Sequence, residues 1–262
     1  MIGFPQTEKL KELIQSRIVF FDGAMGTMIQ QFKLQEEDFR KGHFENHPSD
    51  LQGNNELLSL TRPDVIESIH MDFLKAGADI IETNTFNANA LSQSEYGLAD
   101  QVRTLNLASV QVAKAAVQKF QKTVEDRPVF IAGAVGPTNR MLSMSPDVNR
   151  PEFRALTFTE LAEAYREQTL ALLEGGVDFL LCETVFDTLN LKAFIYAVKT
   201  IEEEQSLKIP VMISATISDA SGRTLSGQSL EAFWNSIRHA DALAVGLNCG
   251  LGPSQVEFHL KE

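Results

Sequence analysis

The chain has 262 residues, 44% of them hydrophobic, and its 23 basic and 35 acidic residues give a net charge of −12. That length suffices for one large core, and the acidic balance argues against nucleic acid or anionic membrane as a partner. No apolar run approaches the roughly 18 residues of a membrane span. The N-terminal MIGFPQTEKLKELIQ lacks a signal-peptide layout, and two cysteines cannot build a disulfide scaffold, so a reducing cytoplasm is the expected location.

In chain order, the first strand-like run is Val19-Phe20-Phe21, which ends in the polar tip Asp22-Gly23-Ala24-Met25-Gly26-Thr27. A loop rich in polar and charged residues follows, from about Lys33 to Leu60. Arg62 to Ala76 reads as a helix: Pro63 suits its first turn, Ile66, Ile69 and Phe73 share a face, and Gly77 closes it. Asp79-Ile80-Ile81 is the second strand, running into Glu82-Thr83-Asn84-Thr85. Val102, Leu105, Val112 and Ala116 mark a long amphipathic helix. Val129-Phe130-Ile131 then ends in Gly133-Ala134-Val135-Gly136-Pro137-Thr138. Thr157 to Glu174 is the next helix, stopped by Gly175-Gly176 before Asp178-Phe179-Leu180-Leu181, whose tip is Cys182-Glu183-Thr184. Leu191, Ile195 and Val198 lie on a further helix. Pro210 to Ser214 is a strand, Leu230 to His239 a helix, and Ala242 to Val245 a last strand ending at Asn248-Cys249-Gly250.

Six strands alternating with helices fit one parallel α/β sheet, because parallel neighbours need crossover connections. An open doubly wound sheet and a (β/α)₈ barrel of the TIM type both satisfy this order. The spread of polar tips favours the barrel, since an open sheet gathers its ligand at one switch point. About six of eight β/α units are expected, in one barrel domain over residues 1–262 that is incomplete at its C-terminus. No linker or low-complexity tract interrupts it.

Several tips carry candidate chemistry. Asp22 fits a turn or helix N-cap, and equally a carboxylate facing an ammonium group while the amides of Gly23 and Ala24 hold a carboxylate. Glu183 directly follows an apolar strand, where burying a carboxylate is costly without a partner. Asp22 and Glu183 together would form an anionic patch suited to an ammonium. Alternation along the strand turns Cys182 away from Glu183, towards the helices, as a buried small apolar residue. Cys249 lies past its strand in a loop, either inert or as a metal ligand; one cysteine cannot make a zinc site, which takes three or four protein ligands. The Glu82 tip reads as turn chemistry with no assigned role. Gly133 and Gly136 either admit a ligand close to the backbone or only shape a turn. The stretch Asp219 to Thr224 is a polar loop or a solvated turn, and the five histidines show no ligand spacing.

Taken together, Phe21-Asp22-Gly23-Ala24-Met25-Gly26-Thr27, Glu82-Thr83-Asn84-Thr85-Phe86, Gly133 to Asn139, Cys182-Glu183-Thr184-Val185-Phe186-Asp187 and Gly246-Leu247-Asn248-Cys249 resemble the zinc-dependent homocysteine S-methyltransferases. Ser145 to Pro151 and Asp219 to Gly227 are similar to stretches of one subgroup, the N-terminal homocysteine-binding domains of cobalamin-dependent methionine synthases. The resemblance implies a (β/α)₈ barrel with L-homocysteine as methyl acceptor. It places Asp22 and Glu183 on the substrate amino group, Gly23 and Ala24 on its carboxylate, and Cys249 as the first of three zinc-binding cysteines. The family's other two stand in a Gly-Gly-Cys-Cys-Gly motif, which this sequence does not contain, so the Zn²⁺ site is expected to be incomplete here.

The chemistry so implied is thiol activation. Zinc would deprotonate the homocysteine sulfur, and the thiolate would take a methyl group from methylcobalamin carried on another domain. Folate- and cobalamin-binding domains of the same full-length protein are the implied partners. No residue of this chain is assigned to catalysis, and the chain alone is expected to be inactive, with barrel edges open to self-association. A stand-alone betaine or S-methylmethionine homocysteine S-methyltransferase is the alternative. From another class, so is a metal-free, catalytically silent amino-acid-binding module.

Overall fold

The computed structural model describes residues 4–124, 127–218 and 221–261. Five strands form one parallel sheet: β1 (Ile80–Glu82), β2 (Phe130–Val135), β3 (Phe179–Val185), β4 (Val211–Ala215) and β5 (Ala244–Leu247). Their spatial order is the sequence order, β1-β2-β3-β4-β5, with every neighbouring pair parallel. A sheet that adds each strand on the same side has no switch point, so this is the winding of a barrel and not of a doubly wound sheet. The fold is a partial TIM-type (β/α) barrel.

The predicted first strand is reduced. Phe21 makes a single parallel bridge to Ile80, supported by Asp79 N and Ile80 N donating to Phe20 O and by Asp22 N donating to Ile80 O. A partner on one side only leaves Ile18 and Phe20 exposed (76% and 59%). The opposite margin is similar, since β5 leaves Ala244 and Val245 exposed.

Side chains alternate across the sheet and sort into two cores. Ile81, Ile131, Leu180, Cys182, Val211 and Ile213 pack outward against the helices in the larger cluster. Ile80, Phe130, Ala132, Phe179, Leu181 and Met212 point inward and fill the barrel, joined by Leu10. Leu10 belongs to a helix absent from the sequence-based expectation, Thr7–Ser16, whose apolar face stoppers the N-terminal end of the barrel.

The helices Pro63–Ala76, Val102–Gln121, Phe158–Gly175, Thr188–Gln205 and Leu230–Ile237 occupy the expected segments. Local chemistry sets their ends. Thr157 and Glu160 form a reciprocal capping box before Phe158, and Gly176, at φ 82°, takes the left-handed conformation that ends that helix. Asp187 caps Thr188–Gln205 through Leu189 N at 2.9 Å and Asn190 N at 3.4 Å.

Residues 33–60 depart most from expectation. The segment contains the helical turns Glu36–Phe39, Gly42–Phe44, Asn55–Leu57 and most of Leu58–Thr61. Phe39, Phe44, Leu51, Leu57 and Leu58 bury themselves with Ile66 and Ile69 in a separate cluster. Their spacing follows neither a helical nor a strand period, so the sequence shows them only as a polar stretch.

Candidate functional site

The strand tips meet at a cavity of about 690 Å³ on the C-terminal side of the sheet. The elements that fill the barrel also build its mouth. Moving two residues along each strand replaces Ile80 by Glu82, Ala132 by Ala134, Leu181 by Glu183 and Met212 by Ser214 on the same inward face. Asp22, from the bridge segment, and Asn248, just beyond β5, complete the ring.

Three carboxylates converge there. Asp22 Oδ2 accepts the backbone N–H of Glu82 at 3.0 Å, while its Oδ1 is buried with no protein partner. Burial pushes the Asp22 carboxyl up to about 8, opposed by the Glu82 amide and reinforced by the negative charge of Glu183. Glu82 lies well above the usual carboxylate range, through burial first and then the charges of Glu183 and Asp22. Burial likewise raises Glu183. A fourth acid, Glu56, also lines the cavity; it accepts Asn87 N at 2.9 Å and is raised by burial. Among the described residues lining the cavity there is no Lys, Arg or His. The site is an acidic bowl with no counter-charge among the described residues that line it.

Strand β3 is irregular around Glu183. Its pairing with β4 shifts register between Cys182 and Val185, and Thr184 sits at φ 58°. A β-branched residue there is a real outlier, held only where its surroundings insist. They do: Thr184 N donates to Asn248 Oδ1 at 3.0 Å, and Asn248 Nδ2 donates to Thr184 Oγ1 at 2.9 Å.

The predicted residues divide. Asp22, Glu183 and Cys249 share the cavity, and exposed Gly23 and Ala24 line it directly before the helix Met25–Gln31. Cys182 is buried among the helices, as alternation requires, and burial pushes its thiol up. Gly133 packs against Leu172, Leu180 and Val177 on the helix side. A Cβ on Gly136 would meet Phe86 O at 2.6 Å. Both glycines are therefore packing positions and neither lines the cavity. Asp219 and Ala220 lie outside the described residues. Downstream of them, Ser226 N donates to Phe186 O and Arg223 bridges to Ser229, so the segment folds back over the β3 tip without lining the cavity.

Sequence reasoning misses Glu82, Glu56 and Asn248 as site residues. For Glu82 a signal exists, because it follows Ile80-Ile81 as Glu183 follows Leu180-Leu181-Cys182, and alternation from inward Ile80 turns it inward. Glu56 has none.

A metal finds few ligands here. The hydrogen-bond contacts of the Cys249 sulfur are Asn248 Nδ2 at 3.4 Å and Thr184 Oγ1 at 3.9 Å, and its charge also acts on Glu82. Among the described residues no group of three or more His, Cys, Asp or Glu side chains is placed to hold a metal ion. This donor set does not fit a closed zinc site, and Cys249 supplies at most one ligand.

Fold and cavity define a (β/α)-barrel protein with an anionic small-molecule site at the C-terminal strand ends. The chain matches the homocysteine S-methyltransferase family over residues 19–262 and belongs to that family. It is similar in fold to the homocysteine methyltransferase MmuM from Escherichia coli. The metallated form matches at 20% identity with a TM-score of 0.76, covering 96% of this chain and 81% of that one. The oxidized form (21% identity, TM-score 0.72) covers 92% and 76%, and the apo form (20%, 0.70) covers 96% and 80%.

Proposed function

We propose that this cavity binds L-homocysteine as the methyl acceptor of a methionine synthase-type methyltransferase. The observation that carries the reading is the convergence of Asp22, Glu82 and Glu183, one oxygen of Asp22 orphaned, in a cavity without a cationic side chain. An α-ammonium group supplies the missing charge: it donates three hydrogen bonds and draws the acids back to their ionised forms. Asp22 and Glu183 hold the ammonium, and the amides of Gly23 and Ala24 receive the substrate carboxylate. The thiol end then points towards Cys249 and the open mouth, where a methyl donor on another domain has access.

Support for the cobalamin-dependent type comes from the Ser145 to Pro151 stretch. Ser143 N and Oγ donate to Asp187 at 2.9 and 2.6 Å, and Arg154 Nε donates to Leu142 O at 2.7 Å, tying this loop to the β3 end beside the cavity. The loop presents Met144 and Val148 to solvent at 43% and 91% exposure, a surface available to a neighbouring domain. In the family's chemistry zinc activates the acceptor thiol; the donors among the described residues do not complete such a site.

Isothermal titration of L-homocysteine against 4-mercaptobutyrate, which lacks only the amino group, tests the binding reading. Homocysteine is expected to bind at least about 100-fold tighter, the worth of a desolvated charge pair of ~3 kcal/mol. Equal affinities would remove the ammonium seat. Methyl transfer to homocysteine by the full-length protein from methylcobalamin, and not from betaine or S-methylmethionine, would separate the synthase from the stand-alone enzymes.

A further inference from the structure

Asn248 stands where three strand ends meet, and its orientation is fixed. Its Oδ1 accepts from Thr184 N at 3.0 Å and from Ser214 Oγ at 2.8 Å. A backbone N–H only donates, so the oxygen of the Asn248 amide must face Thr184 and the NH₂ group must face the other way. The main chain of Asn248 is pinned as well: its N–H donates to Ala215 O at 3.0 Å and its carbonyl accepts from Thr216 Oγ1 at 3.0 Å. The NH₂ group so directed donates to Glu183 Oε2 at 3.2 Å, Thr184 Oγ1 at 2.9 Å and Cys249 Sγ at 3.4 Å. Two hydrogens serve three acceptors, so at least one hydrogen is shared.

We propose that Asn248 is the positioning residue of this site, its amide setting the direction of the Glu183 carboxylate while anchoring β3, β4 and β5 to one another. The proposal rests on the homocysteine-binding reading for its consequence, namely that one side chain joins the ammonium end of the cavity to the sulfur end. It also accounts for Thr184. The positive φ of Thr184, next to Glu183, is retained because the Asn248 amide engages both the Thr184 N–H and its hydroxyl.

The test reverses the polarity of one hydrogen bond. Asn248→Asp keeps the acceptor that Thr184 and Ser214 use but sets a carboxylate against Glu183; Glu183→Gln turns the other partner into a donor. Each single variant is expected to weaken homocysteine binding about 10- to 100-fold, the range for losing a charged hydrogen bond. In the double variant the introduced glutamine amide donates to the introduced aspartate carboxylate, restoring the bond with its direction reversed. It is expected to bind at least about 5-fold better than the two losses multiplied together predict. Losses that multiply would overturn the proposal, because they would show that residues 248 and 183 act independently on binding. If Asn248→Asp does not fold, Ser214→Ala decides: loosening one anchor of the amide should weaken binding about 3-fold, within the worth of one neutral hydrogen bond, and unchanged affinity would count against positioning. If the wild-type chain does not bind homocysteine, the binding reading falls by itself. The melting temperatures of the two single variants and the double variant then decide Asn248, non-additive shifts supporting it and additive ones overturning it.

Discussion

Strand β1 is flanked by two acids in opposite electrical circumstances. At its N-terminal end Asp79 is gripped by Arg17 through two bonds of 2.7 and 2.8 Å, accepts Phe20 N at 3.0 Å, and has Arg127 at 3.5 Å. The Arg17 guanidinium holds its carboxyl below the ordinary value. Three residues on, at the C-terminal end, Glu82 shares its surroundings with Asp22 and Glu183 and no cation, and all three lie above their ordinary values. Both arrangements bury carboxylates. One is finished within the chain and serves stability; the other is left unfinished and waits for charge from outside.

The sharpest way to break this comparison is to neutralise the unfinished end. Asp22→Asn should cut homocysteine affinity by about 100-fold, ~2.8 kcal/mol, yet raise the melting temperature of the ligand-free chain at pH 8. A variant that lost both binding and stability would show that Asp22 is structural. Neutralising the finished end should do the reverse: Asp79→Asn should cost about 2 kcal/mol of stability, as for a lost charge-assisted bond, and leave homocysteine affinity unchanged, read by urea denaturation and calorimetry.

The pH dependence follows with opposite signs. Asp22, Glu82 and Glu183 have raised folded-state values, so the native state retains protons the unfolded chain releases. Their stabilising contribution is full below about pH 4 and declines as pH rises, the part due to Asp22 being lost as pH passes through about 8. Asp79, depressed, contributes above about pH 4, its unfolded value, and loses that contribution as pH falls through its folded one. Ligand-free stability should therefore peak near pH 5 and fall by order 2 kcal/mol towards pH 8, allowing for solvent in the open cavity. Saturating homocysteine should flatten that fall, and a flat ligand-free profile would sink the account.

Smaller effects are expected at the sheet margins. Ile18 on one margin and Ala244 on the other line a groove of about 520 Å³, with Val19, Phe21 and Met212 between them, and Phe20 and Val245 are exposed at the same two margins. Unpaired edges of this kind invite pairing between chains, so the isolated chain should associate at micromolar concentration, and Val245→Lys should shift it towards monomer in light scattering. Zinc analysis of the same preparation should find well under one ion per chain.

Much of this was legible because alternation and polar strand ends are local signals. Asp22 and Glu183 stood out as acids placed after apolar runs, and Cys182 was turned outward by counting one residue. Glu82 obeys the same count, but its Thr-Asn-Thr context reads as a turn and hides it. What could not be read was long-range. The pairing of Asn248 with Thr184 spans 64 residues, the register shift in β3 has no sequence marker, and Glu56 is buried by tertiary packing of a stretch without periodicity.

The helix Thr7–Ser16 has a consequence for assembly. Leu10 closes the barrel interior in one cluster with Ile80, Phe130, Phe179 and Met212, so this helix finds its final neighbours only after some two hundred further residues have been joined. Closing so long a loop is entropically slow. The stopper is therefore expected to dock last, and pulsed hydrogen exchange during refolding should find amides of β2 and β3 protected before those of residues 10–16. During synthesis, this helix is a waiting piece, exposed to chaperones until its socket exists.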